Sequence, residues 1–396
     1  MFIFKPTFFI KKFFAHQSKQ SEKLLLLSFL LTFSVIAYYN VNIGPIMSPD
    51  TYVYYSKWAD SLIKLNFNLF DFYDQNPFVS PTYFYSIPII LIAFTKFFFG
   101  PQWQEAFMIL NLIFIFFSII TFIKGLRLLG VRDFFISLTI PLMIISADLM
   151  TYPRWILTDT FYSFLIILIT LIIIKEIAYK KSYFKSLIFL ILIIILSRPA
   201  FLPIIVTLII FKISLRFKIY KNPKLTIFLI LTFFLIGPIL FASIHQFLDL
   251  ILDDNIRVNH ILSRAEKGIV IWDRPSTWTK PPNSFLEFTY FYFLRLTNFF
   301  NPYASSFSYI HIILNIILFL IIFLSILIWL KYGGEISSKD KSIFFILLLS
   351  LSVASFHAFI LLDYDWRYRY PLILPLMMLF PISMEIILQK NDNIKL

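Results

Sequence analysis

Two acids, four arginines and a tyrosine stand out in this sequence because each interrupts an apolar or aromatic stretch. Asp50 lies in GPIMSPDTYVYYSKWADSL (44–62), just after the first long apolar run. Asp159 lies in TYPRWILTDTFYSFL, near the start of another, with Arg154 just upstream. Arg198 splits a hydrophobic stretch in IILSRPAFLP, and Arg367, Tyr368 and Arg369 sit together in DYDWRYRYPLILP (363–375). A carboxylate within hydrogen-bond reach of a hydroxyl can take its proton. A guanidinium is planar, permanently charged and shaped to match phosphate. Together these groups suit a displacement in which a nucleophile is deprotonated while charge builds on a departing phosphate.

Each candidate also has a plainer role. Asp50 could only cap a helix. Asp159 could pair with Arg154. Arg198 could close a helix at a break, and 363–375 could anchor a span with aromatics and a salt bridge. An ionisable group inside an apolar span is costly, however, and marks a functional candidate.

A membrane domain has to position these residues. The chain has 396 residues, 59% hydrophobic and 14% charged, and no long polar segment is left to build a soluble domain. The sequence predicts an all-α polytopic membrane protein of about 10 transmembrane helices. Spans read at about 24–43, 104–123, 134–149, 156–174, 225–243, 307–330, 342–362 and 370–388. Two shorter pieces, 186–197 and 200–211, read as a hairpin turning at Ser197-Arg198-Pro199. The run 83–99 reads as a half-span or interfacial segment bent near Pro88, because a full crossing would put the basic loop 124–132 outside.

The chain divides into a basic cytoplasmic N-terminus (1–23), one transmembrane domain (24–388) and a cytoplasmic tail (389–396). The first apolar run reads as a retained anchor. Two sizeable outer loops, 44–82 and 244–306, carry amphipathic helices. Lys concentrates on the inner side of this topology. Eight of the 11 Arg fall outside: Arg154, Arg198, Arg257, Arg264, Arg274, Arg295, Arg367 and Arg369. The net charge of +13 thus reflects membrane topology and not nucleic-acid binding. Cys is absent, which excludes disulfides and thiolate chemistry. The five His lack metal-site spacing. Neither a P-loop nor a GxGxxG is present.

The first outer loop has a clear local pattern. Ser48-Pro49-Asp50 reads as a helix start, with Ser at the N-cap, Pro at the first position and an acid in the first turn. Tyr55, Trp58, Ala59, Leu62 and Leu65 share one face, and Lys57, Asp60 and Lys64 another. The pattern predicts a helix lying on the membrane surface.

In order along the chain, MSPDTYVYY, PFVSPTYFYSIP, WILTDTFYSFL, SRP between two short apolar helices, and RYRYPLILPL resemble a known set. The sequence is similar to GT-C type integral-membrane glycosyltransferases, nearest to the protein O-mannosyltransferase and lipid A aminoarabinose transferase branch. The resemblance implies transfer of a sugar from a polyprenyl-phosphate donor to a glycan, lipid or protein acceptor, usually with inversion. The bilayer is the other partner, and the site faces outward from a bacterial inner or plasma membrane. The resemblance makes Asp50 the general base. Asp159 becomes a second acid that organises the site or holds a divalent metal, Mg or Mn. Arg198, Arg367 and Arg369 would lie near the carrier phosphate, with Arg154 and Tyr368 in the same substrate-binding set. The sequence departs from the pattern in three ways: the first loop has one acid where protein mannosyltransferases have an adjacent pair, Asp159 stands where many relatives have Glu, and no large soluble domain follows the last span. An O-antigen polymerase or ligase, and a transporter or flippase for lipid-linked sugars, are the alternatives.

Overall fold

The computed structural model describes residues 19–75, 85–198, 200–217, 285–303, 307–334, 337–359 and 366–393, with positions 222, 224 and 228. The expected span 225–243, most of the loop 244–306, the tyrosine-rich stretch up to Phe84 and the acids Asp363 and Asp365 lie outside these residues.

The described chain is almost entirely helical. In order it forms α1 (Lys19–Ile43), β1 (Ile46–Met47), α2 (Ser56–Lys64), α3 (Leu69–Gln75), α4 (Ser86–Phe99), α5 (Trp103–Leu128), α6 (Asp133–Thr139), α7 (Leu142–Ile145) and α8 (Ala147–Thr151). There follow β2 (Trp155–Ile156), α9 (Asp159–Tyr179), α10 (Phe184–Ile195), α11 (Leu202–Arg216), α12 (Phe285–Phe299), α13 (Tyr309–Tyr332), α14 (Ser337–Phe359), α15 (Tyr370–Met377) and α16 (Leu379–Asn393). Six stretches are long and apolar enough to cross a bilayer, and a seventh if the bent pair 133–145 and 147–154 counts as one span. This supports a multi-pass helical membrane protein. The expected ten crossings are not reached among the described residues. The span read at 134–149 is broken by 69°. Ser146 is extended there, and its hydroxyl caps α8 by accepting from the Leu149 N–H at 3.3 Å.

The bundle core is mostly apolar. α5 packs on α9, α9 on α15, α11 on α14, α13 on α16 and α1 on α6. Ile115, Phe122, Ile169, Ile173, Ile346, Leu372 and Ile373 are among its fully enclosed side chains. Leu26, Leu27, Leu30 and Leu31 of α1 and Ile310, Leu320 and Phe323 of α13 stay exposed. Such bare apolar faces suit lipid. One end of the bundle is tied by Arg127–Asp133 at 2.8 Å, Arg132–Glu385 at 3.3 Å and a 2.7 Å bond from Trp329 Nε1 to Asp340. The other end carries Asp50, Asp159, Arg198 and Arg367.

At that second end a small unit covers the bundle. Its core is Tyr55, Ala59, Leu62, Phe72, Ile89, Ile92, Ala93 and Phe107. By length alone, 86–128 would pass as one 43-residue span. A straight helix of that length would run about 65 Å, twice a hydrocarbon core. Instead Gly100 turns the chain with a φ of +52°, and α4 packs back against α5. The Ile87 N–H donates to Leu196 O at 3.1 Å, beside Arg198, and Gln104 Nε2 contacts Met47 Sδ at 3.1 Å. Both ends of α4 therefore sit at the same end of the bundle. Pro88 does not bend it. It occupies the first turn, where a missing N–H costs nothing.

The amphipathic reading of α2 holds for the face and fails for what covers it. Tyr55, Ala59 and Leu62 are buried while Lys57, Asp60 and Lys64 are exposed. The apolar face lies on α4 and not on the membrane surface, because α4 offers matching apolar residues and Lys96 reaches across to Asp60 at 2.7 Å.

The absence of Cys allows a direct test. Single substitutions Gln75→Cys and Gln102→Cys should react with a membrane-impermeant maleimide from the same side of the bilayer, and Lys180→Cys only from the opposite side. Labelling of Gln75→Cys and Gln102→Cys from opposite sides would mean that α4 crosses.

Candidate functional site

The local rules place Asp50 as the sequence implies. Ser48 caps the helix: its Oγ accepts from the Thr51 N–H at 3.0 Å. The cap is thus supplied without Asp50. Immediately after Asp50 the helix widens into a π-turn over Thr51–Tyr55, closed by the Ser56 N–H on Thr51 O. Such turns are rare and frequent at functional sites. This segment is pinned to the one before Asp159. β1 and β2 pair in parallel, Ile46 with Trp155 and Met47 with Ile156. The Thr51 hydroxyl donates to Ile156 O, and Asn111 donates to both Pro153 O and Trp155 O at 3.1 Å. Asp50 and Asp159, 109 positions apart in sequence, are brought to one region by this two-residue sheet and its ties.

Each acid meets an arginine from far along the chain. Arg367 Nη2 lies 3.0 Å from Asp50 Oδ2, with side chains 20% and 38% exposed. Arg198 Nη1 pairs with Asp159 Oδ1, with side chains 8% and 2% exposed. Arg198 sits in the turn between α10 and α11, where the short hairpin was expected to turn. The two pairs meet at Tyr368. The Arg198 guanidinium carbon is 5.2 Å from the ring centre and that of Arg367 is 5.5 Å. His357 stacks on the same ring at 4.1 Å and 5°. Arg198 also lies 5.6 Å from the Tyr162 ring, whose hydroxyl donates to Ala200 O at 2.6 Å. Burial pushes the Tyr55 phenol well above its ordinary value, with Tyr85 and Asp50 adding to the effect, so Tyr55 faces this group as a neutral donor.

The two ion pairs differ in energy. A pair as exposed as Asp50–Arg367 is worth about 0–1 kcal/mol. Breaking a buried pair such as Asp159–Arg198 by removing one partner costs about 3–5 kcal/mol. Removing a partner is therefore costly in one pair and cheap in the other.

Two expected members lie elsewhere. Arg369 does not join Arg367. The turn Trp366–Arg369 is a 3-10 helix, so side chains two apart point about 120° away from each other. Arg369 is fully buried, 3.3 Å from the equally buried Asp148, and it donates to Asn301 O. Arg154 does not pair with Asp159. It is half-buried, and its Nε has no hydrogen-bond partner among the described residues. Asp148, His357 and Tyr162 were not among the sequence candidates. Asp148 carried the signal used for Asp159, an acid inside an apolar span.

No group of three or more His, Asp or Glu able to hold a metal occurs among the described residues. The Asp159 carboxylate already faces a guanidinium where a cation would sit. Among the described residues the groups gathered here are carboxylates, guanidiniums and aromatic rings. Comparison with protein-family models, curated proteins and solved structures finds no match.

The energy difference between the pairs is measurable. Asp159→Asn and Arg198→Met should each lower unfolding stability in detergent by about 3–5 kcal/mol. The double variant should recover part of that loss, because no charge is left buried alone. Asp50→Asn should cost less than about 1 kcal/mol. Equal losses at Asp50 and Asp159 would contradict the assignment.

Proposed function

We propose that the chain is a membrane glycosyltransferase of the GT-C type, moving a sugar from a polyprenyl-phosphate donor to an acceptor hydroxyl at the outer face of a bacterial plasma membrane. One observation carries this reading. A partly exposed carboxylate, Asp50, stands beside Arg367 at one end of a membrane bundle, and Arg367 and a second arginine, Arg198, approach the same Tyr368 ring. That is the equipment for deprotonating a nucleophile next to a departing phosphate. Its place at a bundle end suits a donor whose phosphate rides at the headgroup plane while its prenyl chain stays in lipid.

Asp50 acts as general base. It takes the acceptor proton as the acceptor oxygen attacks the anomeric carbon from the face opposite the phosphate, which inverts that centre. The bond between anomeric carbon and phosphate oxygen breaks, and its electron pair leaves with the polyprenyl phosphate. Arg198 and Arg367 receive that charge. Asp159 holds Arg198 in place and does not touch the sugar. The outward direction rests on Lys: Lys124, Lys175, Lys180, Lys212, Lys331 and Lys390 belong to the opposite end. A transporter would be expected to gather its polar groups near the midplane at broken helices, and this cluster lies at an end.

The test compares envelope lipids from strains expressing the wild type or Asp50→Asn at equal protein levels. The Asn strain should accumulate a polyprenyl-phosphate sugar and lose one glycosylated product, and the rate with purified protein should fall by about 10²–10⁴. Identical lipids and glycans, where deletion of the protein changes both, would remove Asp50 from catalysis.

A further inference from the structure

The base named above is not free. We propose that Arg367 masks Asp50 until the donor's phosphate draws the guanidinium away, so that donor binding itself switches the base on. This rests on the glycosyltransferase reading and adds to it an order of events.

Three observations support the switch. First, Asp50 is engaged: Arg367 Nη2 is 3.0 Å from its Oδ2. The guanidinium occupies the carboxylate oxygen that an acceptor hydroxyl would have to reach. Second, the two pairs differ in how firmly they are held. Asp159 and Arg198 are enclosed, whereas Asp50 is more than a third exposed and open to exchange. The buried pair keeps Arg198 fixed as an anchor, and the contact between Arg367 and Asp50 is the more exposed of the two. Third, both guanidiniums approach the one Tyr368 ring, which His357 backs from α14. The distance Arg367 must travel to share an anion with Arg198 is therefore short. Among the described residues Asp159 is the hydrogen-bond partner of Arg198, which engages it through Nη1 and keeps other donors for the same anion.

The charges balance through the cycle. The donor is a phosphodiester with one negative charge. When it takes Arg367, Asp50 loses its counter-charge and its oxygen opens to the acceptor hydroxyl. It then accepts the acceptor's proton. The product phosphate carries one more negative charge, held between Arg367 and Arg198, while Asp50 is neutral. Departure of the polyprenyl phosphate lets Asp50 release its proton and recapture Arg367. Without donor, the acceptor meets a masked base.

The experiment is a double-variant binding cycle on the full chain in lipid nanodiscs, using farnesyl phosphate as the probe and inorganic phosphate as control. Asp50→Asn should tighten farnesyl phosphate binding about tenfold, because the competitor for Arg367 is gone. Arg367→Gln should weaken it by at least about tenfold. In the Arg367→Gln background, Asp50→Asn should change affinity by less than about twofold. If Arg367→Gln does not fold, Arg367→Lys serves, and the coupling should shrink but keep its sign. Equal tightening by Asp50→Asn in both backgrounds would mean plain repulsion and overturn the switch, as would no tightening in the wild type. Either result leaves the transferase reading standing. A folded wild type that binds neither probe would remove the phosphate site, and with it both proposals. Binding of inorganic phosphate as tight as that of farnesyl phosphate would point to a free anion, which removes the lipid-linked donor and the switch it operates.

Discussion

The four-residue run Arg367-Tyr368-Arg369-Tyr370 is the constraint on which this end of the molecule depends. It sits where a tight turn becomes α15, so successive side chains leave in different directions. Arg367 goes to Asp50, Tyr368 to His357 and Arg198, Arg369 to Asp148 and Asn301, and Tyr370 stacks on Tyr152 at 4.4 Å. One short segment thereby joins the first loop, the α8–α9 connection, the α10–α11 hairpin and the chain just after α12. Two of these contacts are ion pairs of very different burial. Arg369–Asp148 is fully enclosed, so it fixes the segment. Arg367–Asp50 is partly exposed. A turn that holds one arginine in the core and another against a partly exposed acid is a more specific arrangement than a scatter of salt bridges.

The acids are placed by backbone contacts and not by charge. The paired strands at 46–47 and 155–156, with the Thr51 hydroxyl on Ile156 O, set the first loop against the start of α9. Asn111 holds the other side of that connection through two carbonyls. Asn40 does similar work at the end of α1, donating to Met150 O at 2.8 Å. In a lipid-facing bundle such carbonyls have no water to turn to, so each amide both satisfies and positions them. Asp50 and Asp159 inherit their locations from this frame, which would persist if either carboxylate were neutralised.

What was legible in the sequence follows from the range of each interaction. The Ser48 cap and the two faces of α2 are written within one or two helical turns, and both appear as read. Arg198 was legible because a charge inside an apolar run has to find a partner or a cavity. The identity of that partner was not, since Asp159 is 39 positions away and Arg154 was the nearer choice. Arg367 and Asp50 are 317 positions apart, and nothing local connects them. Periodicity gave α2 an apolar face but could not say that α4, and not lipid, would cover it. The adjacency of Arg367 and Arg369 suggested one shared role, whereas the tight turn sends them to separate acids. Asp148 satisfied the same criterion as Asp159 and would have been found by applying it to every span.

The contrast between the pairs also bears on what an acid at position 50 can do at the end of the bundle. A fully buried carboxylate would need a permanent counter-charge and would be held too firmly to accept a proton. A fully exposed one would be screened and would exchange protons with water at any time. Asp50 lies between these limits, at the bundle end, with its cation supplied by a turn that other contacts hold in place. The neighbouring pair, Asp159–Arg198, is enclosed, so the two guanidiniums that approach Tyr368 stand in different surroundings, one paired deep in the bundle and one paired with a partly exposed acid.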